Sequence, residues 1–158
     1  MATPSQPFQY LLNVLAEKTG LDYLEVNEEG ACAVQFDEKV TVLLVDVPAE
    51  GALRLVSNLG APGEDLHLTT LYRALLEANW LGGGTHGATL SIEPGTHHVG
   101  LWRQVSLEGL SPVTFMDQLG KFVDVAEIWT ALIRGEEIPE SEESSISPSL
   151  SHSFGIPA

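Results

Sequence analysis

Residues 78–90 read ANWLGGGTHGATL and place four glycines within six positions. Before the glycines, leucines recur every three to four residues, which predicts a helix. After them, Ala88, Leu90 and Ile92 alternate with polar residues, which predicts a strand. A phosphate-binding glycine loop has the reverse order, because the amides that face the anion begin a following helix. We therefore interpret the glycines as a helix-to-strand turn with left-handed residues after the helix terminus.

On both sides of this turn, the spacing of apolar residues predicts the other helices and strands. Helices are predicted over about 6–19, from Glu64-Asp65 to the glycines, and from the N-cap Ser111 to Gly135. Strands are predicted over 31–36, 40–47, from Leu53 onward, over 88–92 and over 99–107. The order is α-βββ-α-ββ-α, and the short connections between strands favour antiparallel pairing. These elements predict an α+β fold in which three helices pack on an antiparallel β-sheet.

The composition changes at the end of the third helix. Residues 136–158 contain seven serines, five glutamates and no lysine or arginine. Such a segment cannot bury enough apolar surface to offset the entropy of ordering. We therefore predict one folded domain over 1–135 and a disordered acidic tail over 136–158.

The net charge excludes several classes of partner. The chain carries 22 acidic and 7 basic residues, a net charge of −15, and the bases are scattered singly. Without a basic patch to displace counterions from phosphates, we expect no binding to nucleic acid.

The longest apolar run, 40–47, is too short to cross a bilayer, so we expect no membrane insertion. A single cysteine, Cys32, permits no intrachain disulfide and suits a reducing compartment such as the cytoplasm.

The residues with catalytic or metal-binding chemistry do not form a recognisable site. His97 and His98 are expected at a turn and His86 at the far end of the same strand, roughly 20 Å away at about 3.3 Å per residue, which is too far for one metal. Cys32 lies among apolar strand residues with no base nearby in sequence. We therefore predict no catalytic residue, no metal and no cofactor, and a protein that is not an enzyme.

The predicted elements carry more apolar surface than one sheet face requires. Both faces of the strand over 40–47 are apolar, and the second helix is apolar on more than one side. One explanation is a more compact core. The other is that one apolar surface forms a homodimer while another accepts a partner chain.

The segment LYRALLEANWLGGGTHGATLSIEPGTHHVGLWRQVSL, residues 71–107, resembles the signature region of the class I type III secretion chaperones, the CesT/Tir chaperone family. That region has a helix ending in leucines and an asparagine, a glycine-rich turn, and two short strands. The positions that match are Leu75, Leu76, Asn79, Gly82, Gly84, Gly87, Leu90 and Leu101. The element order, the length and a pI of about 4.4 are also similar. The chain departs from the family in its bulky Trp80 and its longer acidic tail.

The resemblance implies a homodimeric chaperone in the bacterial cytoplasm that contributes to virulence. Such a protein binds the N-terminal chaperone-binding segment of one or more effectors in extended form and promotes their stability and export, with the export ATPase as a further partner. The implied dimer interface is Leu68, Leu71, Tyr72, Leu75, Leu76 and Trp80. The candidate effector-binding residues are Phe8, Leu12, Val34, Phe36, Val42 and Leu44. The alternative is a related α+β regulatory module that binds protein and has no role in export.

Overall fold

The computed structural model describes residues 3–136 and contains the eight predicted elements in the predicted order. The helices are α1 Gln6–Thr19, α2 Leu68–Asn79 and α3 Pro112–Arg134. The strands are β1 Ala31–Phe36, β2 Val40–Val47, β3 Ala52–Gly60, β4 Thr89–Ile92 and β5 Val99–Ser106. Short 3₁₀ turns follow β2, at Pro48–Glu50, and α2, at Trp80–Gly82. The α+β fold predicted from the sequence is therefore confirmed.

The start of α2 differs from the prediction. Glu64 and Asp65 lie in a turn, and the helix begins four residues after Glu64, with His67 as its N-cap. The reason is a tertiary contact: the amide of Gly63 donates to the carbonyl of Ile133 at 2.9 Å, near the end of α3. That contact holds the segment after β3 against α3 and delays the helix.

All strand pairs in the five-stranded sheet are antiparallel, in the spatial order β1-β2-β3-β5-β4. The sheet is not a simple meander, because β5 lies between β3 and β4. As a result, β1 and β4 form the two edges of the sheet. The position of these edges decides where another strand can pair with the protein.

The core lies between one face of the sheet and the helices, with buried side chains from α1, α2 and α3. Its largest fully buried side chains include Phe8 from α1 and Phe115, Phe122 and Trp129 from α3. Each large apolar side chain that leaves water contributes about 1.5–3 kcal/mol to folding. We call this covered side the inner face of the sheet and the opposite side the outer face.

The first helix is fastened to the sheet at its N-terminus. Ser5 is the N-cap residue, but its hydroxyl does not cap the helix. Instead the amide and hydroxyl of Ser5 both donate to the carboxylate of Asp46 in β2, at 2.6 and 2.9 Å. By contrast, the hydroxyl of Ser111 accepts from the amide of Thr114 and caps α3 as the sequence predicts.

Of the predicted tail over 136–158, only Glu136 falls within the described residues. The rest lies outside them, so the division between 1–135 and 136–158 stays a prediction. Within 3–136, no helix combines the length and the apolar character needed to cross a membrane.

Candidate partner-binding surfaces

The glycine turn brings the end of α2 against the start of β4. Leu81 and Gly82 have φ values of 53° and 69°, so the predicted left-handed residues after the helix are present. The amide of Gly84 donates to the carbonyl of Ala78 at 3.0 Å. A side chain at position 84 would place its Cβ only 2.8 Å from the Cβ of Ala78, so this close approach requires glycine.

Three side chains hold the turn in place from within the same subunit. Trp129 of α3 donates its indole N–H to the carbonyl of Gly84 at 3.1 Å, and Arg103 of β5 donates to the carbonyl of His86 at 2.9 Å. The hydroxyl of Thr85, which is fully buried, donates to the carbonyl of Ala88 at 2.6 Å. The turn therefore directs polar groups towards its own chain, which supports its interpretation as a structural connection.

Asn79, the last residue of α2, pairs with the backbone of β4. Its side-chain amide donates to the carbonyl of Leu90 at 3.0 Å, and its side-chain oxygen accepts from the amide of Leu90 at 2.8 Å. These groups of Leu90 point away from β5, towards the free edge of the sheet. Thr85 occupies the corresponding groups of Ala88, because its carbonyl accepts from the amide and its hydroxyl donates to the carbonyl. The β4 edge is thus closed at Leu90, and the outward groups of Ala88, the residue before the strand, are occupied as well.

The β1 edge is open over two residues. Asn27 bonds both the amide and the carbonyl of Ala31, which shows that these groups point away from β2. Because alternate residues of a strand direct their backbone groups to the same side, Ala33 and Gln35 point the same way. Within the described part of the chain, their outward amides and carbonyls have no hydrogen-bond partner. This edge offers two donors and two acceptors to another strand.

The outer face of the sheet carries an apolar row that begins at the open edge. Cross-strand pairing aligns Ala33 with Leu43, Leu43 with Val56, and Val56 with Trp102. Leu43 and Val56 are half-buried, whereas Ala33 is exposed and Trp102 is 39% exposed. Trp102 and Val56 also line a groove of about 540 Å³ on this face. None of the described helices covers the row.

Polar side chains border this groove at one end. Arg54 donates to Gln104 at 2.9 Å, and Gln104 donates to Glu50 at 2.6 Å. Arg54 also lies 3.4 Å from Glu50, in an exposed ion pair. Arg54 and Glu50 pair with each other, so this network adds no unpaired charge to the groove. The rest of the lining is mixed, with Val56, Ile92 and Trp102 beside polar residues such as Ser91 and Glu93.

The structure divides the predicted dimer-interface residues into two groups. Leu68, Leu76 and Trp80 are 48%, 73% and 70% exposed, and Tyr72 is half-buried. These four follow one another at intervals of four residues and form a stripe along the outward side of α2. Leu71 and Leu75 are 6% and 4% exposed, because they point into the core of their own subunit. Leu71 and Leu75 therefore have no free surface for a second copy, and their assignment is corrected.

The predicted effector-binding residues lie mostly in the core. The side chains of Phe8, Leu12, Val34, Val42 and Leu44 are at most 5% exposed, and only Phe36 is half-buried. Phe8 and Leu12 point from α1 into the core, and the strand residues point to the inner face of the sheet beneath the helices, so the buried side chains are not available to a partner. Along the strands, the polar residues Gln35, Thr41 and Arg54 alternate with inward-pointing apolar residues and mark the outer face. That alternation is the signal that would have directed the prediction to Ala33, Leu43 and Val56.

Cys32 and the histidines, which are the residues with catalytic or metal-binding chemistry, do not come together in one site. Burial raises the pKa of the Cys32 thiol, which lowers the thiolate fraction and its reactivity. The ring nitrogen Nδ1 of His98 lies 3.2 Å from the side-chain nitrogen Nδ2 of Asn58. The backbone carbonyl of His86 accepts a hydrogen bond from Arg103. Across residues 3–136, no three histidine, cysteine or acidic side chains converge in a way that would hold a metal ion.

Comparison with known families gives one match that spans most of the chain. The family model described as the Tir chaperone protein (CesT) family matches residues 10–130. A comparison with curated proteins found no match.

Several solved structures have a similar fold. The chain is 27% identical to a chain in the crystal structure of the ExsC–ExsE complex, with a TM-score of 0.66 over 79% of this chain and 92% of that one. It is 24% identical to a chain in the complex of the Yersinia pestis type III secretion chaperone SycH with a stable fragment of YscM2, with a TM-score of 0.59 over 75% and 96%. YbjN from E. coli, at 12% identity and a TM-score of 0.53 over 81% and 93%, shares the fold alone.

Proposed function

The chain belongs to the Tir chaperone protein (CesT) family, and we propose that it acts as a type III secretion chaperone that holds a segment of an effector protein in extended form. The observation that carries the extended binding mode is the open edge of β1. The function requires binding surfaces and no catalytic residue or cofactor, so the protein is not an enzyme in this proposal. It acts in the bacterial cytoplasm, where effectors are held before export.

The β1 edge can accept an effector segment as a sixth strand. The free amides and carbonyls of Ala33 and Gln35 match the alternating donors and acceptors of an extended chain. A guest residue opposite Ala33 would continue the apolar row of Leu43, Val56 and Trp102 on the outer face. Backbone bonds would therefore supply affinity for many sequences, and the apolar row would favour segments with apolar residues on one face.

The proposal includes a homodimer formed through the outward stripe of α2, which consists of Leu68, Tyr72, Leu76 and Trp80. Residues 66–92 contain one base, Arg73, and one acid, Glu77, so their net charge is 1 − 1 = 0 in a chain of net charge −15. Two copies of an acidic protein repel each other least where neither surface carries excess charge. A dimer also presents two β1 edges. Once a long effector segment is bound to the first edge, the second edge is available to it at a high effective concentration.

A proline at the open edge tests the proposed binding mode. Effectors would first be identified by purifying the protein from its native bacterium under secretion-inducing conditions. The affinity of a purified N-terminal effector segment would then be measured by calorimetry for Ala33→Pro and for the matched control Ala33→Val. Because proline removes the amide of residue 33, which has no hydrogen-bond partner among residues 3–136, we expect a folded protein with a loss of affinity of about tenfold or more.

The control should bind at least as tightly as the wild type, because valine keeps the amide and enlarges the apolar row. Equal affinity for a folded Ala33→Pro protein would contradict pairing at β1. Purification of a signalling protein in place of a secreted one would support the regulatory alternative. Binding to the export ATPase is a further part of the proposal and is tested by adding that ATPase to the chaperone–effector complex.

A further inference from the structure

The two edges of the sheet differ in a way that the proposed function leaves unexplained. We propose that Asn79 acts as a substitute strand that closes the β4 edge, so that a guest strand pairs with β1 alone. The choice of guest rests on the proposed function, but the closure itself is a property of the isolated chain.

Asn79 offers β4 the same two groups that a neighbouring strand would offer. Its carboxamide accepts from the amide of Leu90 at 2.8 Å and donates to the carbonyl of Leu90 at 3.0 Å. The amide and carbonyl of one residue in an added antiparallel strand would make the same pair of bonds. Thr85 makes an equivalent pair of bonds with Ala88: its carbonyl accepts from the Ala88 amide at 3.1 Å, and its hydroxyl donates to the Ala88 carbonyl at 2.6 Å. The next residue whose backbone groups point outward is Ile92, the last residue of β4. One such residue alone is too few to pair stably with another strand.

The bonds of Asn79 are geometrically constrained by the turn that follows it. The amide of Gly84 bonds the carbonyl of Ala78, one residue before Asn79, and Trp129 bonds the carbonyl of Gly84. The end of α2 is therefore held at a fixed distance from β4. Within that geometry, asparagine supplies both a donor and an acceptor on a short side chain, whereas alanine and serine cannot reach both groups of Leu90.

Closure has a direct consequence for a protein that binds extended chains. An open edge strand pairs with any compatible strand, including the same edge of a second copy. With both edges open, subunits could join through β4 or bind two guests on opposite sides of one sheet. With β4 closed, the guest is directed to the edge where the apolar row begins. Asn79 is a positioning residue in this proposal, since it selects the edge without touching the guest.

The test compares the full-length wild-type chain with Asn79→Ala and Asn79→Ser, without any effector. Sedimentation velocity over a range of concentrations measures assembly, and amide hydrogen exchange measures the protection of Leu90, Ala33 and Gln35. In the wild type, we expect a protected Leu90 amide, fast exchange at Ala33 and Gln35, and one limiting oligomer. In the variants, we expect species larger than that oligomer, because the exposed β4 edges pair with each other.

A second substitution separates edge pairing from general destabilisation. Ile92→Lys places a charge on the β4 edge and should suppress the larger species when combined with Asn79→Ala, while the Leu90 amide then exchanges at least about tenfold faster than in the wild type. The proposal is overturned if a folded variant keeps the wild-type sedimentation and Leu90 protection, or if the larger species persists with Ile92→Lys. Loss of folding in both Asn79 variants would also overturn it, by showing a role in stability in place of edge selection. The readout uses no effector, so its result is independent of the Ala33→Pro experiment.

Discussion

At Gly84 the backbone passes so close to the end of α2 that a single added carbon changes the packing. The Cβ of an alanine there would lie 2.8 Å from the Cβ and 3.0 Å from the Cα of Ala78. The neighbouring Gly83 is different, since its nearest atom would be 3.6 Å away and its φ of −63° suits any residue. Adjacent glycines of one turn thus have different reasons to be present.

We therefore predict that Gly84→Ala lowers the free energy of unfolding by about 1–3 kcal/mol, because the backbone of α2 must move to accept the methyl group. Gly83→Ala is the matched control and should change it by less than about 0.5 kcal/mol, as is usual for exposed positions. Urea denaturation followed by circular dichroism measures both. Equal stability of the two variants would show that the turn adapts without cost.

At the scale of elements, α2 is a helix with two apolar sides that serve different purposes. Leu71 and Leu75 pack into the core, while Leu68, Leu76 and Trp80 face outward. Substitutions at the adjacent residues Leu75 and Leu76 can therefore separate an effect on folding stability from an effect on dimer formation.

We predict that Leu76→Glu yields a folded monomer, because a carboxylate at the centre of the outward stripe would be buried on dimerisation. Leu75→Glu should instead unfold the subunit, since it places a charge in the core of each copy whether or not it dimerises. Light scattering gives the mass and thermal melting gives the stability. A dimer of unchanged affinity for Leu76→Glu would refute the outward stripe as the interface.

The sequence predicts these elements well because local signals mark their ends. The helix over 6–19 and the strands over 31–36 and 40–47 have the predicted bounds, set by Gly20 and by the turn at Asp37-Glu38. The start of α2 was predicted too early, because the Gly63–Ile133 contact is tertiary and leaves no local signal.

The candidate sites were harder to predict than the elements. A strand such as β2, apolar on both faces, does not show which face the helices cover, and its predicted effector-binding residues Val42 and Leu44 lie on the inner face. The open and closed edges depend on the strand order and on the bonds between Asn79 and Leu90, eleven residues apart. Neither follows from spacing along the chain.

At the scale of the whole molecule, charge and apolar surface act against each other. A net charge of −15 makes two subunits repel at long range, whereas the neutral segment 66–92 and its outward stripe favour their contact. The balance between these effects depends on the ionic strength.

We predict that the proposed dimer becomes several-fold tighter when the ionic strength rises from about 0.01 to about 0.15 M, because the screening length falls from roughly 30 to roughly 8 Å. Sedimentation equilibrium at each salt concentration measures the dissociation constant. A dimer that weakens with salt would indicate an interface formed by ion pairs, contrary to the apolar stripe.

Pairing of an effector segment with β1 can be measured by amide hydrogen exchange on the chaperone–effector complex. We expect the amides of Ala33 and Gln35 to exchange quickly in the free chaperone and to become strongly protected in the complex, while the protection of Leu90 stays unchanged. A stable complex in which Ala33 and Gln35 still exchange at their free rates would rule out pairing at β1.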